Sequence, residues 1–229
     1  MFQLTEVSKR YQRRQEEVVA FRTSSLKIAA GEYVAIVGPS GSGKTTLLSL
    51  LGGMLSPDSG KVELQGQSIY DLPIAERTKL RRTQIGFVFQ TFNLIPYLTA
   101  RENVQVPLYL AGLKPDEQLA RAESLLEQVG LGQRLHHKPS EMSTGQQQRV
   151  ALARTLANSP KLILADEPTG NLDPDSKAAV MNIFTNFVRD GGTIVMVTHD
   201  PASAAQASLR LRIVDGLIQE EATSRKRVA

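Results

Sequence analysis

The chain has 229 residues, 41% of them hydrophobic and 22% charged, with a net charge of +4 and no cysteine, a length that accommodates one large α/β domain carrying an inserted lobe. The lack of cysteine excludes a disulfide framework and any thiolate metal site, and suits a reducing compartment. Basic residues cluster only in "KRYQRR" (9–14) and "SRKR" (224–227), a dispersal that argues against a dedicated nucleic-acid surface, and the longest apolar stretch, "LLSLLGGML" (47–55), is too short for a bilayer span of about 20 residues.

In chain order, the opening "MFQLTEVSKRYQRR" lacks the apolar core of a secretory signal. "EYVAIVG" (32–38) predicts a strand buried on both faces. It runs into "GPSGSGKTT" (38–46), which has the spacing of a phosphate-binding loop, and then into a helix beginning "TTLLSLL". Glycines let such a loop curl around an anion while backbone N–H groups at the helix start converge on phosphate oxygens. Lys44 is expected to reach the outer phosphates, and the Thr45 hydroxyl to be a ligand of Mg²⁺.

"GKVELQG" (60–66) and "QIGFVFQ" (84–90) read as further strands. Thr99 and Glu102 have the spacing of a capping box, and Pro107 is expected to kink or end the helix that they open. "DEQLARAESLLEQVGL" (116–131) reads as an amphipathic helix with Leu119, Ala122, Leu125, Leu126 and Val129 on one face. These patterns place a helical lobe at 91–157, inserted between core segments 1–90 and 158–229. His136 and His137 offer too few ligands for a metal site.

"KLILAD" (161–166) and "TIVMVTH" (193–199) are again buried-strand patterns, and "LRLRIVDGLIQEE" predicts a hairpin around Asp215-Gly216. Alternation of such strands with helices predicts a mainly parallel sheet. The first of these strands ends in two adjacent carboxylates, Asp166 and Glu167. Burying acids costs free energy unless a cation or hydrogen bonds meet them, and a metal-bound nucleotide would do so. Asp166 then helps to hold Mg²⁺, and Glu167 orients and polarises the attacking water.

The order Tyr11, phosphate loop, Gln90, "MSTGQ" (142–146), Asp166-Glu167, Asp173 and His199 resembles the ATPase subunit of ABC transporters over nearly the whole chain. The resemblance implies an α/β P-loop NTPase core with a mainly parallel sheet, an antiparallel β part and an inserted helical subdomain. It implies that Tyr11 stacks on adenine and that Gly38, Pro39, Ser40, Gly41, Ser42, Gly43, Lys44, Thr45 and Thr46 surround the phosphates of ATP. Gln90 would sense both Mg²⁺ and the attacking water, Asp173 would cross a dimer interface, and His199 would contact the terminal phosphate and position Glu167. Catalysis thus falls to Glu167, His199 and Gln90, and the metal to Thr45, Gln90 and Asp166.

The family's signature is usually Leu-Ser-Gly-Gly-Gln. Here Met142 and Thr144 depart from it, while Ser143, Gly145 and Gln146 are retained. The retained residues would engage an ATP held by a second copy of the chain. The cost of Thr144 turns on its backbone: it is strained if the site needs positive φ, and at ease if the helix starts there.

The resemblance further implies an ATP-sandwich homodimer that powers separate integral membrane permease subunits from the cytoplasmic face of the inner membrane. The segment 89–112 and "ADEPTGNLD" look closest to the MacB and LolD branch, whose permeases can carry a large extracytoplasmic domain and a periplasmic partner. Residues Phe92, Leu94, Ile95, Tyr97 and Leu98 are expected to share between the lobe's core and an exposed docking groove. Two other readings stay open: a slowly hydrolysing, nucleotide-gated scaffold, and a soluble ABC ATPase acting on nucleic acid or ribosomes.

Overall fold

The computed structural model describes residues 1–13 and 16–220; the basic run at 224–227 lies outside them. The chain opens with two long antiparallel strands, β1 (Phe2–Arg13) and β2 (Glu16–Ile28). Neither is among the strands predicted from the sequence. Phe2, Leu4 and Val7 are buried, but Glu6 takes a φ of +50° and the register shifts between Leu4 and Val7, so a bulge breaks the alternation that would mark β1.

The run at 32–38 becomes β3 (Tyr33–Val37), followed by α1 (Lys44–Leu51). Two strands, β4 (Ser59–Leu64) and β5 (Gln67–Ser68), precede α2 (Ile74–Gln84) and β6 (Ile85–Phe89). Helix α2 buries none of its residues, so no apolar stripe announces it. Then come α3 (Ala100–Leu110), α4 (Pro115–Gln128) and α5 (Thr144–Leu156). The remainder alternates: β7 (Leu162–Asp166), α6 (Pro174–Arg189), β8 (Thr193–Val197), α7 (Pro201–Ala204), β9 (Leu209–Val214) and β10 (Leu217–Glu220).

Two sheets result. The antiparallel one has the order β2-β1-β4-β5; the other, β10-β9-β3-β8-β7-β6, is parallel from β9 to β6. Asp215 and Gly216 both take positive φ in the turn that adds β10, as a two-residue hairpin requires. Phe2, Phe21 and Val62 of the antiparallel sheet share a core with α1 and the face of β3, β7 and β8 turned toward it. The opposite face packs Ile163, Ile194 and Met196 against Val180 and Phe184 of α6. A third cluster, including Val104, Leu126, Met142 and Val150, holds α3, α4 and α5 together.

Two helical expectations need correction. Pro107 lies inside α3, which continues one turn to Leu110, where the N–H of Ala111 donates to the Pro107 carbonyl. Leu119 is 37% exposed, whereas Gln118 is buried, its Nε2 donating to Leu113 O at 2.7 Å. Leu113 leaves a carbonyl that needs a donor more than the core needs another leucine. Ala122, Leu125, Leu126 and Val129 are buried as the spacing predicts, and Thr99 and Glu102 do form a capping box.

The fully buried Asn103 organises the turn leading into α3. Its Oδ1 accepts from Ile95 N at 2.8 Å, and Nδ2 lies within 3.1 Å of the carbonyl oxygens of Ile95, Leu98 and Thr99. Asn103→Ala strands these groups, so it should lower unfolding free energy by about 1–3 kcal/mol in a denaturant titration. An unchanged midpoint would show that water replaces the amide.

Candidate active site

The C-terminal ends of parallel strands are where loops gather in open α/β sheets. Register fixes which side chains meet there: Phe89 pairs with Asp166, and Asp166 with Val197, so Gln90, Glu167 and His199 emerge beside one another from β6, β7 and β8. The 38–46 loop leaves β3 on the other side of β8.

That loop is pressed against neighbouring backbone. A Cβ at Gly38, where φ is +151°, would lie 2.2 Å from Ile213 O, and one at Gly43, with φ +103°, would lie 2.2 Å from Ala20 O. Glycine is therefore required twice over, by conformation and by space. Gly43 precedes α1, whose first-turn amides lack intrahelical acceptors and point toward the loop's concavity. Lys44 Nζ folds onto the carbonyl oxygens of Gly38 and Pro39 at 2.9 and 2.7 Å, and the buried Ser42 hydroxyl has no partner among the described residues. An ammonium, an orphan hydroxyl and a helix start within one short loop suit a polyanion.

Thr45 Oγ1 donates to Asp166 Oδ2 at 3.0 Å, tying α1 to the end of β7. Burial raises the Asp166 carboxyl above its ordinary value; the Thr45 hydrogen bond opposes this, the Glu167 charge adds to it and Lys44 again opposes. A hydroxyl and a carboxylate are the hard oxygen donors that Mg²⁺ takes. Among the described residues no three His, Cys, Asp or Glu side chains converge, so such an ion would complete its shell with phosphate and water.

Glu167 has a φ of +48°, unusual for any residue with a side chain. Its amide donates to Val197 O at 3.0 Å, and its Oε2 lies 2.8 Å from His199 Nδ1 and 3.3 Å from His199 N. With Nδ1 turned to the carboxylate, the largely exposed His199 ring presents Nε2 outward. Gln90 Nε2 is 3.4 Å from Asn171 Oδ1, and no motif marks Asn171, one polar residue in a polar loop.

The structure thus gathers the loop, Gln90, Asp166, Glu167 and His199, and leaves other candidates apart. Tyr11 sits on β1, 42% exposed, with Lys9 Nζ 5.9 Å from its ring centre. Asp173 caps α6, accepting from Ser176 N at 2.9 Å. Ser143 caps α5 in a reciprocal box with Gln146, the arrangement that a Ser-x-x-Gln spacing encodes. Among the described residues no hydrogen bond or ion pair joins Ser143, Gly145 or Gln146 to the phosphate loop.

Thr144 opens α5 as its first residue, is exposed, and is not among the residues with positive φ. Met142 fills the leucine position inside the lobe's core.

The ABC transporter family model matches residues 21–170. The chain is 45% identical over 221 residues to a macrolide export ATP-binding/permease protein MacB of Marinobacter nauticus, an alignment covering 96% of this chain but 34% of that protein. It therefore spans about a third of such relatives. An uncharacterised ABC transporter ATP-binding protein of Thermotoga maritima is 46% identical, with 96% of this chain and 94% of that one covered. Among solved structures, the dimeric post-hydrolysis state of the ATP-binding cassette MJ0796 bound to ADP and Pi superposes with a TM-score of 0.90 at 42% identity, covering 96% and 98% of the two chains.

Because Thr144 has a helical backbone, Thr144→Gly should lower stability by about 0.5–1 kcal/mol through the added freedom of the unfolded chain. A thermal melt showing the glycine variant to be more stable would mean that threonine is strained there.

Proposed function

The chain belongs to the ABC transporter family, and from that premise we propose that it hydrolyses ATP in a homodimer and drives a separate membrane permease. The observation that carries this reading is the convergence of a phosphate loop, a Thr45–Asp166 pair and a Glu167–His199 pair at the ends of adjacent strands. Lys44 and the amides of α1 bind the phosphates, while Tyr11 offers an exposed ring to the adenine. Thr45, Asp166 and Gln90 would hold Mg²⁺, which when bound neutralises charge on the phosphates. Glu167 orients the water and takes its proton, Gln90 aligns that water, and His199 steadies the carboxylate with Nδ1 while Nε2 faces the terminal phosphate.

The start of α5 completes the other copy's site: Ser143, Gly145 and Gln146 lie at a helix N-terminus, where amides and dipole favour an anion. Asp173 would cross between the copies. The unstrained Thr144 withdraws the main support from a slow scaffold. Residues 1–90 and 158–229 would then act as the nucleotide-binding core and 91–157 as the lobe that swings the signature into place.

A groove of ≈ 480 Å³ lies between α2, β6, α3 and α5, lined by Met54, Phe87, Phe89, Val106 and Leu110 with Arg81, Arg82 and Arg154. Arg154 donates to the carbonyl oxygens of Phe92 and Asn93, both at positive φ, so the groove's floor is tied to the turn after Gln90. Ile95 and Tyr97 of that turn are 39% and 83% exposed, whereas Leu94 packs into the lobe's core. An amphipathic helix of a permease fits this surface, and the MacB name of a relative, which joins ATP-binding and permease, supports that partner. No helix among the described residues is long and apolar enough to cross a membrane. The working location is the cytoplasmic face of the inner membrane, with a MacB- or LolD-like permease and its periplasmic partner.

Glu167→Gln should retain ATP binding and trap a dimer visible by light scattering, with turnover down by ~10² to 10⁴, the range for losing a general base. Unchanged turnover would remove Glu167 from the mechanism. Leu110→Asp, placing a charge in the groove, should reduce cosedimentation with membranes containing the permease. Undiminished retention would remove the groove from the contact.

A further inference from the structure

Helix α5 carries the residues proposed to reach the partner's nucleotide, and its inner face rests on the segment that carries Glu167. Gly145, Gln148 and Leu152 follow one another at helical spacing on that face. A Cβ at Gly145 would fall within 2.5 Å of Ser176 Cβ, so the start of α5 is pressed directly onto the start of α6. One turn on, the wholly buried Gln148 donates through Nε2 to Pro168 O at 2.6 Å. Another turn on, Leu152 enters the same core as Val180 and Phe184.

The Gln148 bond has two unusual properties. Its Oε1 is buried and has no partner among the described residues, a cost that an apolar side chain of similar size would not incur. The orientation of the amide is nevertheless fixed, since a proline carbonyl only accepts and the nitrogen must face it. Packing alone does not call for glutamine here; a directed N–H does.

What the N–H holds is the Pro168–Thr169 peptide, one residue beyond Glu167. Gly170 N donates to Glu167 O at 3.2 Å, closing a turn with Pro168 and Thr169 at its corners. The carbonyl of the first corner is the group that swings when such a turn changes form. Glu167, at positive φ, needs surroundings that over-determine it. Val197 O takes its amide on one side, and on the other Gln148 pins the carbonyl of Pro168, the next residue.

We propose that Gln148 is a positioning residue: it fixes the turn after Glu167 to the helix whose N-terminus engages the partner copy's nucleotide, so that seating the signature at one site aligns the carboxylate of the other. This rests on Glu167 acting as the base. Gly145 against Ser176 makes the coupling stiff, because α5 cannot slide along α6 without moving both contacts.

The test is Gln148→Met in the full chain, which preserves volume and removes the donor. Steady-state MgATP hydrolysis, equilibrium ATP affinity and a thermal melt are measured together. The expected result is a kcat about 10- to 100-fold lower, the loss that a displacement near 1 Å brings, with KM and ATP affinity within about threefold. In a Glu167→Gln background the same substitution should change the residual rate by no more than about twofold, because no carboxylate is left to align. Should the methionine variant not fold, Gln148→Asn keeps an amide in the pocket but withdraws it from Pro168, and is expected to show the same kcat loss. A kcat within about twofold of wild type, or an equal loss in both backgrounds, overturns the proposal. If Glu167→Gln lowers turnover while Gln148→Met does not, this inference alone fails; if Glu167→Gln itself leaves turnover unchanged, the underlying reading fails with it.

Discussion

Asp166 is a carboxylate at the end of a buried strand, and much of the site exists to make that position tolerable. Burial raises its pKa, and the hydroxyl of Thr45, 3.0 Å away, supplies the compensating hydrogen bond. The bond also sets the start of α1 against the end of β7, so the place where a polyanion would lie and the place where a metal would lie are fixed together. Lys44 contributes a positive charge from the same helix turn. Register then carries the constraint sideways: with Phe89 opposite Asp166 and Asp166 opposite Val197, Gln90 and His199 have little freedom in where they emerge.

A second constraint lies in the backbone. A Cβ at position 38 or 43 would lie 2.2 Å from a carbonyl oxygen of β9 or β2 respectively, so both sheets, through main-chain atoms, constrain the shape of the phosphate loop. The antiparallel sheet is therefore part of the site's foundation, although Tyr11 is the one side chain from it assigned to a nucleotide. Glu167 shows the converse. Its left-handed backbone is costly in isolation and is held by Val197 on one side and by the Gln148–Pro168 bond on the other.

The altered signature fits the same logic. The residue that departs, Thr144, is exposed at the first helical position with an ordinary backbone φ. The retained Gly145 is the position where a side chain has no room. Substitution has fallen where the fold permits it. Met142 changes side-chain shape in the lobe's core but keeps it filled.

The sequence by itself determined the family, the phosphate loop, the acid pair and the parallel core strands, because each is written in contiguous residues whose spacing reflects a local geometry: glycine curvature, a helix start, a strand buried on both faces. It also determined the hairpin at Asp215-Gly216 and the capping box at Thr99 and Glu102. It did not reveal β1, whose bulge at Glu6 breaks the period, or α2, which buries no residue. Leu119 and Gln118 exchanged places because the Leu113 carbonyl takes the Gln118 amide, a demand that apolar spacing does not record. Only the tertiary structure decided whether Thr144 is strained, which neighbour Gly145 must clear, and that a buried glutamine on the signature helix grips the turn beside Glu167. The last two depend on segments twenty or more residues apart being pressed together, and a period along one segment carries no record of what another will place against it.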